Sequence, residues 1–251
     1  MDLGLAGRVV LVTGAGGGAG PTLVEAFAGE GASVAVHYRS SAARAEEAAQ
    51  RIRSGGGRAI AVGADLDSSD EIGAMVGMIE RELGPVAVLV TATSAYRNDA
   101  FAEIDDAAWA SVVDDLLGAT FRTCRAVAPG MEAAGFGRIV NVAARSGLVG
   151  VARAAHYAAA KAGIIGLTAS LAKELGPKGI LVNAIAPTQI LTHRDGRPSI
   201  PEDRQADMAK SIPIRRLATP DDLAGLALWL GSAANTYVSG QTITLSGGAQ
   251  S

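Results

Sequence analysis

Val9-Val-Leu-Val-Thr13-Gly14-Ala15-Gly16-Gly17-Gly18-Ala19-Gly20-Pro21 is the stretch that decides the fold. Val9 to Val12 is a short, wholly apolar run that ends in a cluster of glycines. Pro21 then stands where the first turn of a helix tolerates a residue without an N–H. A strand, a glycine turn and a helix in that order make a phosphate-binding unit. Glycines allow the tight turn and the close approach of backbone to a pyrophosphate, and the helix aims its first N–H groups at the phosphates. A glycine cluster alone is weak evidence; its place between a strand and a helix is what gives it weight. Gly14, Gly16, Gly18 and Gly20 are therefore the expected cradle of a dinucleotide.

The same alternation continues along the chain. Apolar runs at Ser33–Tyr38, Ala59–Gly63, Val86–Val90, Arg138–Val142, Ile180–Ile185 and Thr242–Leu245 read as strands. Between them lie helical patterns at Pro21–Gly29, Ala42–Arg53, Ser69–Leu83, Asp106–Ala134, Ala155–Leu175 and Asp221–Trp229. The long pattern from Asp106 is expected to bend near Gly118 or Pro129. Seven apolar strands alternating with helices specify an α/β fold: one doubly wound, Rossmann-type domain over residues 1–251, with a parallel sheet covered on both faces. Thr188 to Pro213 breaks the rhythm. It is polar, holds three prolines and shows no clean periodicity, which reads as a substrate lid.

Composition narrows the function. The 251 residues are 49% apolar but only 4% aromatic, so Ala, Gly, Val and Leu fill the core. A net charge of -3 without a basic block argues against nucleic acid as a partner. The single cysteine, Cys124, cannot close an internal disulfide and reads as a small half-buried apolar residue in a reducing compartment. Met1 to Val12 lacks the basic start and long apolar core of a signal peptide, and no apolar stretch is long enough to span a bilayer. A cytoplasmic protein with no membrane partner is expected.

The second strand bears on the choice of cofactor. It ends His37-Tyr38-Arg39-Ser40-Ser41, with no acid to bind ribose hydroxyls. A guanidinium followed by hydroxyls suits a 2′-phosphate, so Arg39 and Ser40 favour NADP(H) over NAD(H). The other reading of Arg39 is a solvated charge at a strand end. Asp65, at the end of the third strand, has two readings as well: acceptor from an adenine amino group, or cap of the helix that starts near Ser68.

Taken with the segments Gly137-Arg-Ile-Val-Asn141, Tyr157-Ala-Ala-Ala-Lys161 and Val182-Asn-Ala-Ile-Ala-Pro187, and the tail Val238–Gly248, the chain resembles the short-chain dehydrogenase/reductase family over nearly its whole length. The resemblance implies strand order 3-2-1-4-5-6-7 and a homotetramer. It makes Tyr157 the acid/base and gives Lys161 two tasks: to lower the tyrosine pKa and to hold the nicotinamide ribose. It adds Asp65, Leu66, Pro187, Ile190 and Thr192 to the cofactor contacts, and it calls for no metal.

Four positions depart from the family pattern. Ala144 stands where the family has its catalytic Ser, Leu116 where it has a structural Asn, Thr91-Ala-Thr-Ser94 where it has Asn-Asn-Ala-Gly, and Thr188 where a Gly follows Pro187. Ala144 cannot donate to a substrate oxygen, and Leu116 would displace the water that the Asn holds. Ser146, if its segment is extended, or Ser94 or Thr93, could supply a donor instead. The leading expectation is an NADP(H)-dependent oxidoreductase acting on a small carbonyl, alcohol or conjugated, quinone-like substrate. A redox-neutral lyase, isomerase or cyclase on the same scaffold, and a non-catalytic dinucleotide-binding protein, are the rivals.

Overall fold

The apolar runs become strands in the computed structural model, which describes residues 1–194 and 197–249. They are β1 (Val9–Thr13), β2 (Ser33–Tyr38), β3 (Arg58–Gly63), β4 (Val86–Thr91), β5 (Gly137–Val142) and β6 (Ile180–Pro187), then a small antiparallel pair, β7 (His193–Arg194) and β8 (Arg197–Pro198), and finally β9 (Thr242–Leu245). The main sheet has the order β3-β2-β1-β4-β5-β6-β9 and is parallel throughout. This is the implied order 3-2-1-4-5-6-7, with β9 as the seventh strand. The order reverses where β1 lies between β2 and β4, and in such sheets a ligand crevice opens at the carboxyl ends of those strands.

Alternate side chains of each strand serve opposite faces. Val10 and Val12 of β1 join Val34, Val36, Val88 and Val90 under α1 (Gly20–Gly29) and α2 (Ala42–Ser54). Val9 and Leu11 join Ala35, Leu89, Ile139 and Val182 on the other face, under α3 (Ser69–Glu82). Both faces are therefore sealed, and only the strand ends are open to a ligand.

The long helix expected over Asp106–Ala134 is two helices, α4 (Asp106–Val113) and α5 (Ala119–Ala134), joined by a π-helical turn at Asp114–Gly118. The break lies beside Gly118; Pro129 sits inside an unbroken α5. A π-turn shifts the backbone ladder by one residue. Thr120 Oγ1 donates to the Leu116 carbonyl (2.8 Å) within that turn. A short α6 (Ser146–Val149) leads to α7 (Ala155–Leu175).

The segment expected to be an irregular lid is partly ordered. It carries β7, β8 and a ten-residue α8 (Glu202–Ser211), while residues 195 and 196 lie outside the described residues. α8 escapes a periodicity search because none of its residues is fully buried. Met208 packs against a separate small core of Ile200, Ile212 and Leu217. The last helix, α9 (Pro220–Gly231), starts at Thr219, whose backbone N–H (2.8 Å) and hydroxyl (3.1 Å) both donate to Asp222 Oδ2.

Gly147 sets how closely α6 approaches α7. A Cβ at this position would lie 2.7 Å from the carbonyl carbon of Lys161 and 2.8 Å from the nitrogen of Ala162, both backbone atoms that cannot swing aside. Gly147→Ala is expected to destabilise the fold by about 1–3 kcal/mol, the usual range for overpacking. Urea denaturation checks this: the midpoint should fall with the slope unchanged.

Candidate active site

A large cavity, about 1460 Å3, opens at the carboxyl ends of the strands where the order reverses. Gly14, Gly16 and Gly18 line it, as do Arg39, Ser40, Asp65, Leu66, Tyr157, Lys161, Pro187, Ile190 and Thr192. The sequence-assigned residues thus converge, with one exception. Gly20 stands behind the turn, where a Cβ would lie 2.5 Å from the Ala15 Cα. Its work is to let α1 pack against the turn.

The turn itself fits a phosphate. Gly14 has φ +69° and its Cβ would meet the Ala92 carbonyl oxygen at 2.9 Å. Around Gly17 and Gly18 a Cβ would find nothing within 4 Å, so the cradle faces open space there. α1 follows at once and has no side-chain cap of its own; Gly20 N–H donates to the Gly17 carbonyl (3.0 Å) and Pro21 has no N–H, so a phosphate would be met by the N–H groups of the turn and by the positive end of the helix dipole. A dinucleotide pyrophosphate suits both features.

Arg39 is not a simply solvated charge. Its Nη1 donates to Asp115 Oδ1 at 2.6 Å, from the π-turn on the far side of the cavity mouth. The guanidinium keeps 57% of its side chain exposed. More carboxylates stand nearby. Asp67 has its pKa raised by burial and by Asp115, Asp65 and Asp114, while Arg122 binds both Asp67 and Asp114 at 2.9 Å. Asp65 lies two residues beyond β3, not at its end. Of its two readings, the helix cap falls to Ser68, whose hydroxyl accepts from Glu71 N–H (3.2 Å). The Asp65 carboxylate faces the cavity and accepts from Asp67 N–H (3.1 Å).

Tyr157 and Lys161 share one face of α7, one turn apart. Lys161 is buried, and its Nζ donates to the Val142 carbonyl (2.7 Å) and the Thr93 carbonyl (3.4 Å). Burial draws its pKa down to about 8. Its Nζ lies 5.8 Å from the Tyr157 ring centroid. The expectation that Lys161 lowers the tyrosine pKa is not met. Burial, and then the neighbouring Tyr96, push the Tyr157 phenol up to about 12, and Lys161 does not offset them. The reason is geometric: the ammonium is held by two carbonyls and not by the phenol.

The departures from the family pattern lie around this pair. Ala144 lines the cavity. Leu116 is wholly buried in a small cluster with Val112 and Ala160, against which Tyr157 packs, so apolar contact fills the place of a polar side chain. Ser146 does not lie on an extended segment, because it opens α6 and the residue before it has helical dihedrals. The alternation argument for its hydroxyl therefore fails. Its Oγ is nonetheless buried without a partner among the described residues, and Ser146 lines the cavity together with Thr93 and Ser94.

Three features escaped the sequence. Tyr96 stands edge-on to Tyr157, with centroids 5.2 Å apart and planes at 80°. Asp115 holds Arg39. His156, fully buried, accepts from Tyr157 N–H at Nδ1 (3.0 Å) and meets Asp99 Oδ2 at Nε2 (3.1 Å). The only signal for His156 was its place beside Tyr157.

Comparison with known proteins identifies the family. A family model described as short chain dehydrogenase matches residues 8–200. Nodulation protein G of Azospirillum brasilense is 37% identical over 241 residues, covering 96% of this chain and 97% of that protein. The acetoacetyl-CoA reductase of Allochromatium vinosum is 34% identical over 242 residues, covering 96% and 98%. A gluconate 5-dehydrogenase from Burkholderia cenocepacia, solved in complex with NADP and tartrate, superposes with a TM-score of 0.90 at 28% identity, covering 99% of this chain and 97% of that one. Because the match runs through the glycine turn, the Tyr157–Lys161 helix and the whole sheet, the chain belongs to the short-chain dehydrogenase/reductase family and is an oxidoreductase.

Proposed function

We propose that this protein is an NADP(H)-dependent oxidoreductase of a small carbonyl, alcohol or conjugated substrate, with Tyr157 as its acid/base. The observation that carries this is convergence: the glycine turn, Arg39, Tyr157 and Lys161 all line one cavity. Gly14, Gly16 and Gly18 cradle the pyrophosphate, Arg39 and Ser40 meet the 2′-phosphate, and Asp65 and Leu66 flank the adenine. Pro187, Ile190 and Thr192 lie along the nicotinamide end, and residues 188–213 cover the substrate. When bound, the nicotinamide supplies or accepts the hydride.

Tyr157 Oη gives a proton to the substrate oxygen in reduction and takes one back in oxidation. With its pKa pushed up to about 12, the phenol stays protonated at neutral pH, which suits reduction. Lys161, drawn down to about 8, still carries its charge at neutral pH, where it holds the ribose. Ala144 offers no donor to the substrate oxygen. A substrate that spreads its own developing charge is therefore favoured over a plain ketone.

Solution assembly is a homotetramer in this proposal. Trp109 and Phe121, partly exposed on α4 and α5, give apolar surface that association would cover. Among the described residues, no helix is long and apolar enough to cross a membrane.

Three outcomes follow from this assignment. NADPH should bind at least several-fold tighter than NADH, and Arg39→Ala should erase most of the gap; fluorescence titration with each nucleotide measures both. Tyr157→Phe, which removes only the hydroxyl, should abolish NADPH oxidation with acetoacetyl-CoA, an enone and a quinone as probes, while NADPH binding persists. Wild-type turnover without NADPH consumption would point to redox-neutral chemistry instead. Ala144→Ser should raise ketone reduction more than enone or quinone reduction, because one oxyanion donor is worth about 2.7–4 kcal/mol, or on the order of a hundred- to a thousandfold in rate. Steady-state kinetics on paired substrates, with Ser146→Ala as a companion variant, read the difference.

A further inference from the structure

His37 lies beneath the glycine turn and has no part in the chemistry above. It is 1% exposed. Its Nδ1 stands 3.0 Å from Gly14 N, and because a backbone N–H can only donate, Nδ1 accepts. The proton of the neutral ring is then on Nε2, which donates to the Ala64 carbonyl at 3.0 Å. The backbone of the same residue adds a third tie, since the His37 carbonyl accepts from Ala15 N–H (3.0 Å). One side chain thus spans from the pyrophosphate turn to the residue before Asp65. It links the two ends of the adenosine half of the cavity.

We propose that His37 is a positioning residue that locks the Gly14 turn for dinucleotide binding, and that protonation of its ring releases the lock. This rests on the cofactor assignment above. A charged ring carries a proton on each nitrogen, so Nδ1–H would face Gly14 N–H as donor against donor. Either the turn moves or the ring turns and gives up Ala64.

The charged neighbours are few. Arg39 follows on β2 and opposes a second positive charge, whereas Asp65, beyond β3, favours one. Asp67 and Asp115 stand farther out, around Arg39. β1 and the glycine turn carry no ionisable side chain. Burial is the largest influence and lowers the His37 pKa from its ordinary 6.5. The native site thus holds the neutral ring, and binding that needs this form is complete above that range and is lost as the pH falls below it.

The test is calorimetric titration of the full chain with NADP+ at about pH 7.5 and about pH 5, where the ordinary histidine changes charge. Wild-type affinity should fall several-fold between the two, and by more than that of a variant whose residue 37 does not titrate. His37→Leu removes acceptor and donor and should weaken binding at the higher pH. His37→Asn sets a non-titrating amide oxygen where Nδ1 accepts from Gly14, although its amide nitrogen overlies Cδ2 and falls short of Ala64. It should restore the binding that Leu loses, and its affinity should fall less than about threefold on acidification, a residue left to the 2′-phosphate of the ligand itself. Equal pH dependence in wild type and His37→Asn would overturn the proposal, as would wild-type affinity in His37→Leu. If the Leu variant does not fold, the comparison of Asn with wild type decides. If the wild type binds neither NADP+ nor NAD+, the cofactor assignment fails. The lock is then read from the Gly14 amide resonance of the free protein, which must titrate together with His37 or the lock fails too.

Discussion

Between the ends of β1 and β4 there is room for a hydrogen at Gly14 and for nothing larger. A Cβ there would press on the Ala92 carbonyl oxygen at 2.9 Å and on the Thr93 Cα at 3.0 Å, and the backbone has φ +69°, where side chains are strained. The rest of the site follows from that approach. Ala92 N–H donates to the Thr13 carbonyl (3.2 Å), so the segment after β4 is tied to the turn after β1. The next residue, Thr93, then presents its carbonyl to Lys161. A single glycine thus connects the surface that suits a pyrophosphate to the buried amine of Lys161.

The chemistry is carried by polar groups set in an apolar wall, and this explains the directions of both key pKa values. Burial opposes charge of either sign. It raises the phenol of Tyr157 and lowers the ammonium of Lys161, so both shifts favour neutral forms. Leu116 and Ala160 deepen the effect by packing beside the tyrosine. Under the sheet end the opposite solution holds. Asn141 accepts from Thr91 Oγ1 (3.0 Å) and donates to Thr168 Oγ1 (2.9 Å), so a buried amide between β4, β5 and α7 is satisfied without water. That network ties β4, β5 and α7 together behind the cavity, and Leu116 and Ala160 give Tyr157 an apolar flank.

Most of the architecture was legible because strands buried on both faces are apolar throughout, and glycine turns punctuate them. Val9–Val12, the Gly14 turn and the Tyr157–Lys161 spacing each express a local rule. What could not be read was set by contacts far apart in sequence. Arg39 meets Asp115 across 76 positions, and His156 meets Asp99 across 57. The π-turn at Asp114–Gly118 was legible only as a bend near Gly118, because the same helical composition on either side leaves no local mark of its one-residue shift in the backbone ladder. α8 was missed for a related reason: a helix that buries no complete residue prints no apolar stripe. The lowering of the tyrosine pKa by Lys161 failed on orientation, because spacing places two side chains on one face but does not decide which carbonyl an ammonium chooses.

Those long-range contacts also tie the segment that follows β4 to the start of α7. The first N–H groups of any helix lack partners within it, and α7 has no side-chain cap at Ala154. His156 serves Tyr157 N–H instead, and its other nitrogen is engaged by Asp99, which Arg97 also binds (3.1 Å). Arg153, with φ +62°, holds a backbone conformation that costs a residue with a side chain about 1–3 kcal/mol, and its Nε donates to Asn98 (3.1 Å). The segment between β4 and α4 is therefore tied at Asn98 and Asp99 to the residues that launch α7, while its Tyr96 rests on the Tyr157 ring. A displacement of this segment would carry Tyr96 away from the catalytic phenol and loosen the first turn of its helix together. The position of this segment and the orientation of Tyr157 are in this way one mechanical unit.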